Sequence, residues 1–208
     1  MLEIEGLNIE ESELVYKPAE DSFLAMRTIG KIASEIGDKE VEIADIGTGT
    51  GLLGIYAASL LNTKRLVLAD INLHAVELAK RNYQLNKLKL KDKNANVEIV
   101  RSDLLQNIQG SFDLIIFNAP YLRGSISSHL PTIEKAWNGG RRGIEISEKF
   151  LDEAKAKLNK NGTILLIASS LSDFEGLNRR INELGYKTND IAKEHYFFED
   201  IIALILKR

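Results

Sequence analysis

Two short stretches carry residue types that can do chemistry. Phe117-Asn118-Ala119-Pro120-Tyr121 ends an apolar run, Leu114-Ile115-Ile116, with a side-chain amide, a proline and an aromatic ring. Asp45-Ile46-Gly47-Thr48-Gly49-Thr50-Gly51 ends another with an acid and three spaced glycines. A strand that stops at Asn-Ala-Pro-Tyr sets a polar fork and a flat ring at the carboxyl edge of a sheet, where open α/β sheets bind ligands. An amide or exocyclic amine is a poor nucleophile because its lone pair is delocalised. Two acceptors that hold its N–H bonds favour a pyramidal nitrogen and turn that lone pair outward. The Asn118 side-chain oxygen and the Ala119 carbonyl can be those acceptors, and Pro120 biases residue 119 to an extended conformation. The Tyr121 ring can cover the flat face of the amide or base. Such catalysis is positioning and preorganised dipoles. Alone, the stretch also reads as a strand-ending turn, where Asn and Pro are common; the glycine loop upstream favours the chemical reading.

Gly49-Thr50-Gly51-Leu52-Leu53-Gly54 matches the dinucleotide pattern G-x-G-x-x-G. The charge speaks for a different cofactor. Asp45 lies just before the loop, where its carboxylate would repel a pyrophosphate and welcome a cation. S-adenosylmethionine (SAM) offers an ammonium and a sulfonium and no phosphate, so SAM is preferred over NAD. Asp70 ends the next strand and suits ribose hydroxyls. Asp103-Leu104 follows the third and suits an adenine amino group with an apolar wall; a turn-forming acid explains Asp103 equally well. Tight turning and close helix packing account for the glycines alone, but not for acids that end two successive strands and follow a third.

The elements that must hold these residues are legible as a doubly wound α/β sheet. Strands are expected at Val41–Ile46, Leu66–Asp70, Val97–Val100, Phe112–Phe117 and Thr163–Ala168, with helices at Leu52–Leu60, His74–Asn86, Ile146–Leu158 and Phe174–Leu184 between them. Gly185 is a plausible C-cap for the last helix. Tyr186–Ile191 and Ile201–Leu206 follow without a helix between them, which predicts an antiparallel hairpin at the edge of a seven-stranded, mostly parallel sheet. Pro18 and Asp21-Ser22 precede the helical spacing of Phe23, Leu24, Met26, Ile29 and Ile32, as an N-cap or as a helix N-terminus above a ligand anion. Lys87–Lys93 reads as a solvated basic turn. Leu122 to about Gly143 is polar, glycine-rich and aperiodic, long for a connection and suited to a recognition surface.

The 208 residues fit one domain, 1–208, with a covering segment over about 1–37 and a catalytic core over about 38–208. Net charge is −3, which gives no global pull toward nucleic acid. Without cysteine there is neither a disulfide framework nor a thiolate metal site. His74, His129 and His195 are scattered, so no metal site is expected. The acidic opening Met1-Leu2-Glu3-Ile4-Glu5 has no long apolar core, and no run reaches a membrane span. A soluble, cytoplasmic protein is expected.

Asp45–Gly51, Asp70 and Asn118–Tyr121, in this order, resemble the Rossmann-like class I SAM-dependent methyltransferases, in particular the amino-methylating group with an Asn-Pro-Pro-Tyr motif. Val15-Tyr16-Lys17-Pro18-Ala19-Glu20-Asp21-Ser22 and Ala136-Trp137-Asn138-Gly139-Gly140-Arg141-Arg142-Gly143 look like the HemK-type release-factor glutamine methyltransferases, short archaeal and eukaryotic branch. The resemblance spans nearly the whole chain. It implies N5-methylation of the glutamine in the Gly-Gly-Gln motif of a peptide-chain release factor. Ser22, Asp45, Gly47, Gly49, Gly51, Asp70, Asp103, Leu104 and Asn118 would then contact SAM. Asn118, Ala119, Pro120 and Tyr121 would form the catalytic group, and Tyr16, Pro18, Asn118 and Tyr121 would meet the substrate. It further implies a small zinc-binding activator similar to Trm112, for which the strand Val97–Arg101, at the expected sheet edge, is the chosen docking surface. Ala119 stands where the family has proline: the carbonyl survives, and the loop gains an N–H. Alternatives are an rRNA or tRNA exocyclic-amine methyltransferase, which usually needs a basic surface, a protein lysine methyltransferase, and a SAM-binding partner scaffold without catalysis.

Overall fold

The computed structural model describes residues 1–124 and 137–208. His129, Ala136 and most of the long Leu122–Gly143 connection lie outside the described residues. The chain begins with a hairpin, β1 (Leu2–Ile4) and β2 (Leu7–Ile9), followed by α1 (Glu20–Ile36). Then come β3 (Glu40–Ile46), α2 (Leu52–Leu60), β4 (Asn62–Asp70), α3 (Leu73–Asn86), β5 (Asn96–Arg101) and β6 (Phe112–Asn118). The remaining elements are α4 (Glu145–Lys157), β7 (Leu158–Ser169), α5 (Phe174–Glu183), β8 (Lys187–Tyr196) and β9 (Glu199–Lys207).

Seven strands form one sheet in the order β5-β4-β3-β6-β7-β9-β8. Pairings from β5 through β7 are parallel, and β9 and β8 add antiparallel. The expected seven-stranded sheet with an antiparallel edge hairpin is what the chain builds. Its strands read as near-continuous apolar runs because both faces are covered. In β6, Leu114 and Ile116 face the core shared with α1 and α2, while Ile115 and Phe117 face the core under α4 and α5. β7 alternates likewise, Leu165 and Ile167 to one side and Ile164 and Leu166 to the other. Phe150 of α4 packs its ring 4.4 Å from that of Phe117, centroid to centroid.

The chain leaves β3 for β4 on one side and later returns to β6 on the other. The strand order reverses there, and the crevice beyond the carboxyl ends of β3 and β6 is where a doubly wound sheet binds its ligand. Register aligns the strand ends: Ile46 lies between Ala69 and Phe117. Gly47, Asp70 and Asn118 therefore emerge along one edge.

The acidic opening of the chain folds as this N-terminal hairpin. Glu5 and Gly6 both take positive φ (47° and 76°), the two-residue turn that matches strand twist. Leu7 and Ile9 are buried against the core. Two asparagines of α3 act as substitute strand partners. Asn86 accepts the Asn8 N–H (2.9 Å) and donates to the Asn8 carbonyl (2.7 Å). Asn82 does the same at Glu10 and also donates to the Thr50 carbonyl of the glycine loop. β8 runs to Tyr196, five residues past the expected end. Its polar second half carries no apolar run, and Arg27 and Lys31 of α1 pair with its Glu194 and Asp190.

Candidate active site

A cavity of about 360 Å³ lies over the switch point. Its floor is the glycine loop, Gly47 to Thr50, which leaves β3 through left-handed backbone at Gly47, Gly49 and Gly51 (φ +63°, +54° and +83°). Asp70 ends β4 with its carboxylate fixed by two backbone donors, Gly49 N–H at 2.9 Å and Asn72 N–H at 2.8 Å. Burial raises its pKa above the usual carboxylate range. Each oxygen keeps a lone pair, so the carboxylate can take a vicinal diol. Asp103 and Leu104 close the far wall with Ile71 and Ile146. Asp103 also binds the Lys149 ammonium at 2.8 Å, so its carboxylate is already neutralised in part. Val15, Tyr16, Pro18 and Ser22 roof the cavity.

Asp45 stands apart from the expected contact set. Its side chain is 1% exposed and does not line the cavity. It turns under the loop to accept from the Thr48 hydroxyl (2.6 Å) and the Gly54 N–H (2.9 Å). Burial pushes its pKa from 3.8 to about 7, against those two hydrogen bonds. The acid expected to attract a cation directly shapes the loop instead. It also consumes an N–H in the first turn of α2, the donor group that a phosphate-binding loop would present to its ligand. Gly51 caps α2 and likewise stays off the cavity wall. Gly54 is required by proximity: a Cβ there would lie 2.3 Å from Leu68 Cδ2 and 2.9 Å from Asp45 Cβ.

A second, smaller cavity of about 230 Å³ opens on the other side of Asn118. It is lined by Ala119, Tyr121, Ala19, Glu20, Asp21, Trp137 and Glu199 among others. Tyr16 and Asn118 belong to both cavities. Pro18 and Pro120, expected beside the substrate, line the larger cavity instead. Trp137, the described end of the long connection, is held close by backbone pairing: Leu122 N–H reaches the Trp137 carbonyl and Gly139 N–H the Leu122 carbonyl, both at 2.9 Å.

Asp21 organises the junction, and sequence reasoning did not place it there. Asp21-Ser22 was expected as an N-cap or beneath a ligand anion; the helix starts earlier, with Ala19 as its N-cap, and Asp21 itself supplies the anion in the first turn. Asp21 is buried, and its Oδ1 accepts the Ser22 N–H at 2.6 Å. Its Oδ2 receives three donors: Asn118 Nδ2 at 3.1 Å, the Tyr16 hydroxyl at 3.2 Å and the Tyr121 hydroxyl at 3.3 Å. Burial first, and then the Asp21 charge, push both phenols above their ordinary pKa, so they stay protonated donors. With Nδ2 committed to Asp21, Asn118 Oδ1 points away. It is buried and has no hydrogen-bond partner among the described residues. A buried acceptor left unmatched costs about 1–3 kcal/mol, and such atoms in native proteins call for an explanation. A ligand N–H placed there would supply one. The signal for Asp21 in the sequence was its place in the stretch that most resembled a known family.

The fold and this paired-cavity site define a Rossmann-like class I methyltransferase. The chain belongs to the Methyltransferase small domain family, which matches residues 29–198, and within it to the HemK-type methyltransferases. It is 34% identical over 205 residues, 98% of this chain and 97% of the other, to a Methanocaldococcus jannaschii protein provisionally named a protein N5-glutamine methyltransferase. It is 28% identical over 214 residues, 97% of this chain and 93% of the other, to the eRF1 methyltransferase catalytic subunit mtq2 of Schizosaccharomyces pombe. Among solved structures, the Mtq2–Trm112 complex of E. cuniculi superposes with a TM-score of 0.68 at 23% identity, covering 93% of this chain and 98% of that one. At that identity the likeness shows the fold.

Proposed function

We propose that this methyltransferase transfers the methyl group of SAM to the side-chain nitrogen of the glutamine in a release factor's Gly-Gly-Gln motif. The observation that carries this is Asn118 Oδ1, a buried acceptor unmatched among the described residues, between a cofactor-sized cavity and a smaller second one. The residues present fit SAM. Asp70 offers paired carboxylate oxygens to a ribose diol, Leu104, Ile71 and Ile146 offer apolar wall, and Asp103 reaches an adenine amino group. Ser22, Gly47, Gly49 and Asn118 line the same space, whereas Asp45 and Gly51 act through the loop that they shape.

When bound, SAM supplies an electrophilic methyl on a sulfonium. The chain's residues do the rest. Asn118 Oδ1 accepts one amide hydrogen of the glutamine and the Ala119 carbonyl accepts the other. Holding both favours a pyramidal nitrogen whose lone pair faces the larger cavity. Tyr121 and Trp137 wall the slot around the flat amide. Asp21 keeps the Asn118 amide from flipping, so the oxygen and not the NH₂ meets the substrate. Transfer would form the N–C bond as the C–S bond of SAM broke, and the acidic alkylated nitrogen would give its proton to solvent. Asn118, Ala119 and Tyr121 are thus the catalytic group, with Tyr16 shared by both cavities and Pro18 and Pro120 on the cofactor side.

A Trm112-like zinc-binding activator is part of the proposal, seated on β5. That strand is the parallel end of the sheet, and its Val97, Ile99 and Val100 are only half-buried. The mtq2 relative is named a catalytic subunit, which supports a second chain. Action in the cytoplasm follows from a substrate that works in translation; among the described residues no helix is long and apolar enough to cross a membrane.

The test is transfer of labelled methyl from SAM to a purified release factor, beside a copy whose Gly-Gly-Gln glutamine is replaced, with and without the activator. Label on the first copy alone establishes substrate and residue together. Label on neither, with SAM still bound by calorimetry, refutes the release-factor assignment.

A further inference from the structure

The turn between β8 and β9 consists of Phe197 and Phe198, which are 91% and 93% exposed. Phe197 takes φ +47°. A two-residue hairpin with positive φ at its first central position normally puts glycine there. A bulky aromatic residue in left-handed backbone is strained, and such strain points to function. Neither ring repays it by packing inside the molecule.

Their location gives the rings a use. β9 runs antiparallel to β7, so its beginning, and the turn before it, lies at the carboxyl edge that carries the site. Ser170 and Asp200 fasten the turn to that edge, through Ser170 N–H to the Asp200 carbonyl (2.9 Å) and Asp200 N–H to Ser170 Oγ (2.8 Å). The next residue, Glu199, lines the second cavity and accepts the Ser169 hydroxyl at 2.7 Å. Neither ring lines the slot itself, but the turn that carries them adjoins Glu199 on its rim. On the same rim are the carboxylates of Glu199 and Glu20, and among the described residues neither pairs with a cation.

We propose that the Phe197-Phe198 turn and the Glu20–Glu199 rim form a docking surface for the polypeptide flanking the acceptor glutamine, gripping apolar side chains with the rings and cationic ones with the carboxylates. This rests on the reading of the second cavity as the glutamine slot. The occupant is the substrate protein because a chain that delivers a glutamine into the slot must lie across its mouth. The sign of the rim selects a basic segment and repels the phosphates of RNA.

The experiment compares the wild-type enzyme, with its activator, against the double variant Phe197→Asn, Phe198→Ser. Asn tolerates positive φ, so the turn is kept. Methyl transfer is measured to whole release factor and to a short Gly-Gly-Gln peptide, with SAM affinity and Tm as checks on folding. Burial of even one phenylalanine ring at an interface corresponds to roughly a tenfold or greater change in affinity. The expected result is a KM for whole release factor raised at least about tenfold, with kcat and the peptide's KM unchanged. In the wild type, the KM for whole release factor also rises with ionic strength. A variant KM equal to wild type overturns the role of the rings, and a salt-independent KM overturns that of the carboxylates. A wild-type enzyme that leaves release factor unlabelled is a different result: it refutes the proposed substrate itself.

Discussion

Replacing Asp21 with alanine tests the site at its pivot. In the native chain one carboxylate oxygen holds Asn118 Nδ2, the Tyr16 hydroxyl and the Tyr121 hydroxyl at 3.1–3.3 Å. Without it, the Asn118 amide loses what distinguishes its two orientations, and the flipped form presents NH₂ where the proposed mechanism needs an acceptor. A hydrogen bond to a charged group contributes about 1.5–3 kcal/mol. At 1.4 kcal/mol per factor of ten, kcat should fall roughly 10- to 150-fold. Asp21 does not line the larger cavity, so SAM affinity should change by less than about threefold. Asp21→Asn keeps an oxygen for Asn118 Nδ2 and should recover part of the loss. Labelled-methyl kinetics give kcat, titration calorimetry gives SAM affinity, and thermal melting confirms the fold. A kcat within threefold of wild type, or a matching loss of SAM affinity, would refute a positioning role.

Three further outcomes are expected. Gly54→Ala forces a Cβ to within 2.3 Å of Leu68 Cδ2 and should cost about 1–3 kcal/mol, seen as a Tm lowered by several degrees; an unchanged Tm contradicts the close approach. Asp45 has a folded pKa of about 7 against 3.8, so its proton is held more tightly in the folded chain and stability falls as pH rises through that window, by at most roughly 4 kcal/mol. Urea titrations across that range should therefore show Asp45→Asn less sensitive to pH than wild type, and parallel profiles count against it. Ala119→Pro restores the proline of the related motif and keeps the carbonyl, so kcat should stay within about threefold; abolished activity contradicts the carbonyl's role.

Much of this was legible because strand ends announce themselves. Apolar runs closing on Asp45, Asp70 and Asn118 gave the sheet and the edge on which ligands sit, and both faces being covered made those runs long. What residue spacing does not encode is orientation and distant pairing. That Asp45 turns its carboxylate under the loop is decided by where Thr48 and Gly54 aim their donors, which spacing does not encode. Asp21 reads as an ordinary acid at a helix start; only folding brings it to Asn118, 97 residues away. β1 and β2 are three residues each, and β2 with the residue after it pairs with asparagine side chains of α3, a partner that no hydrophobic period predicts.

Those asparagines set a timetable. Residues 15–22 cover the site from above, and the chain just before them is fastened by Asn72, Asn82 and Asn86, at sequence separations of 58, 72 and 78 residues. Synthesis runs toward the carboxyl terminus, so this cover leaves the ribosome before α3 and must wait for α3 to emerge before its anchors exist. Asn118 and Tyr121, the donors that Asp21 needs, come later still. A nascent chain thus carries residues 15–22 without these anchors until β6 is made. Cofactor binding becomes a late reward of folding, available only to a chain that has already built the strands beneath it.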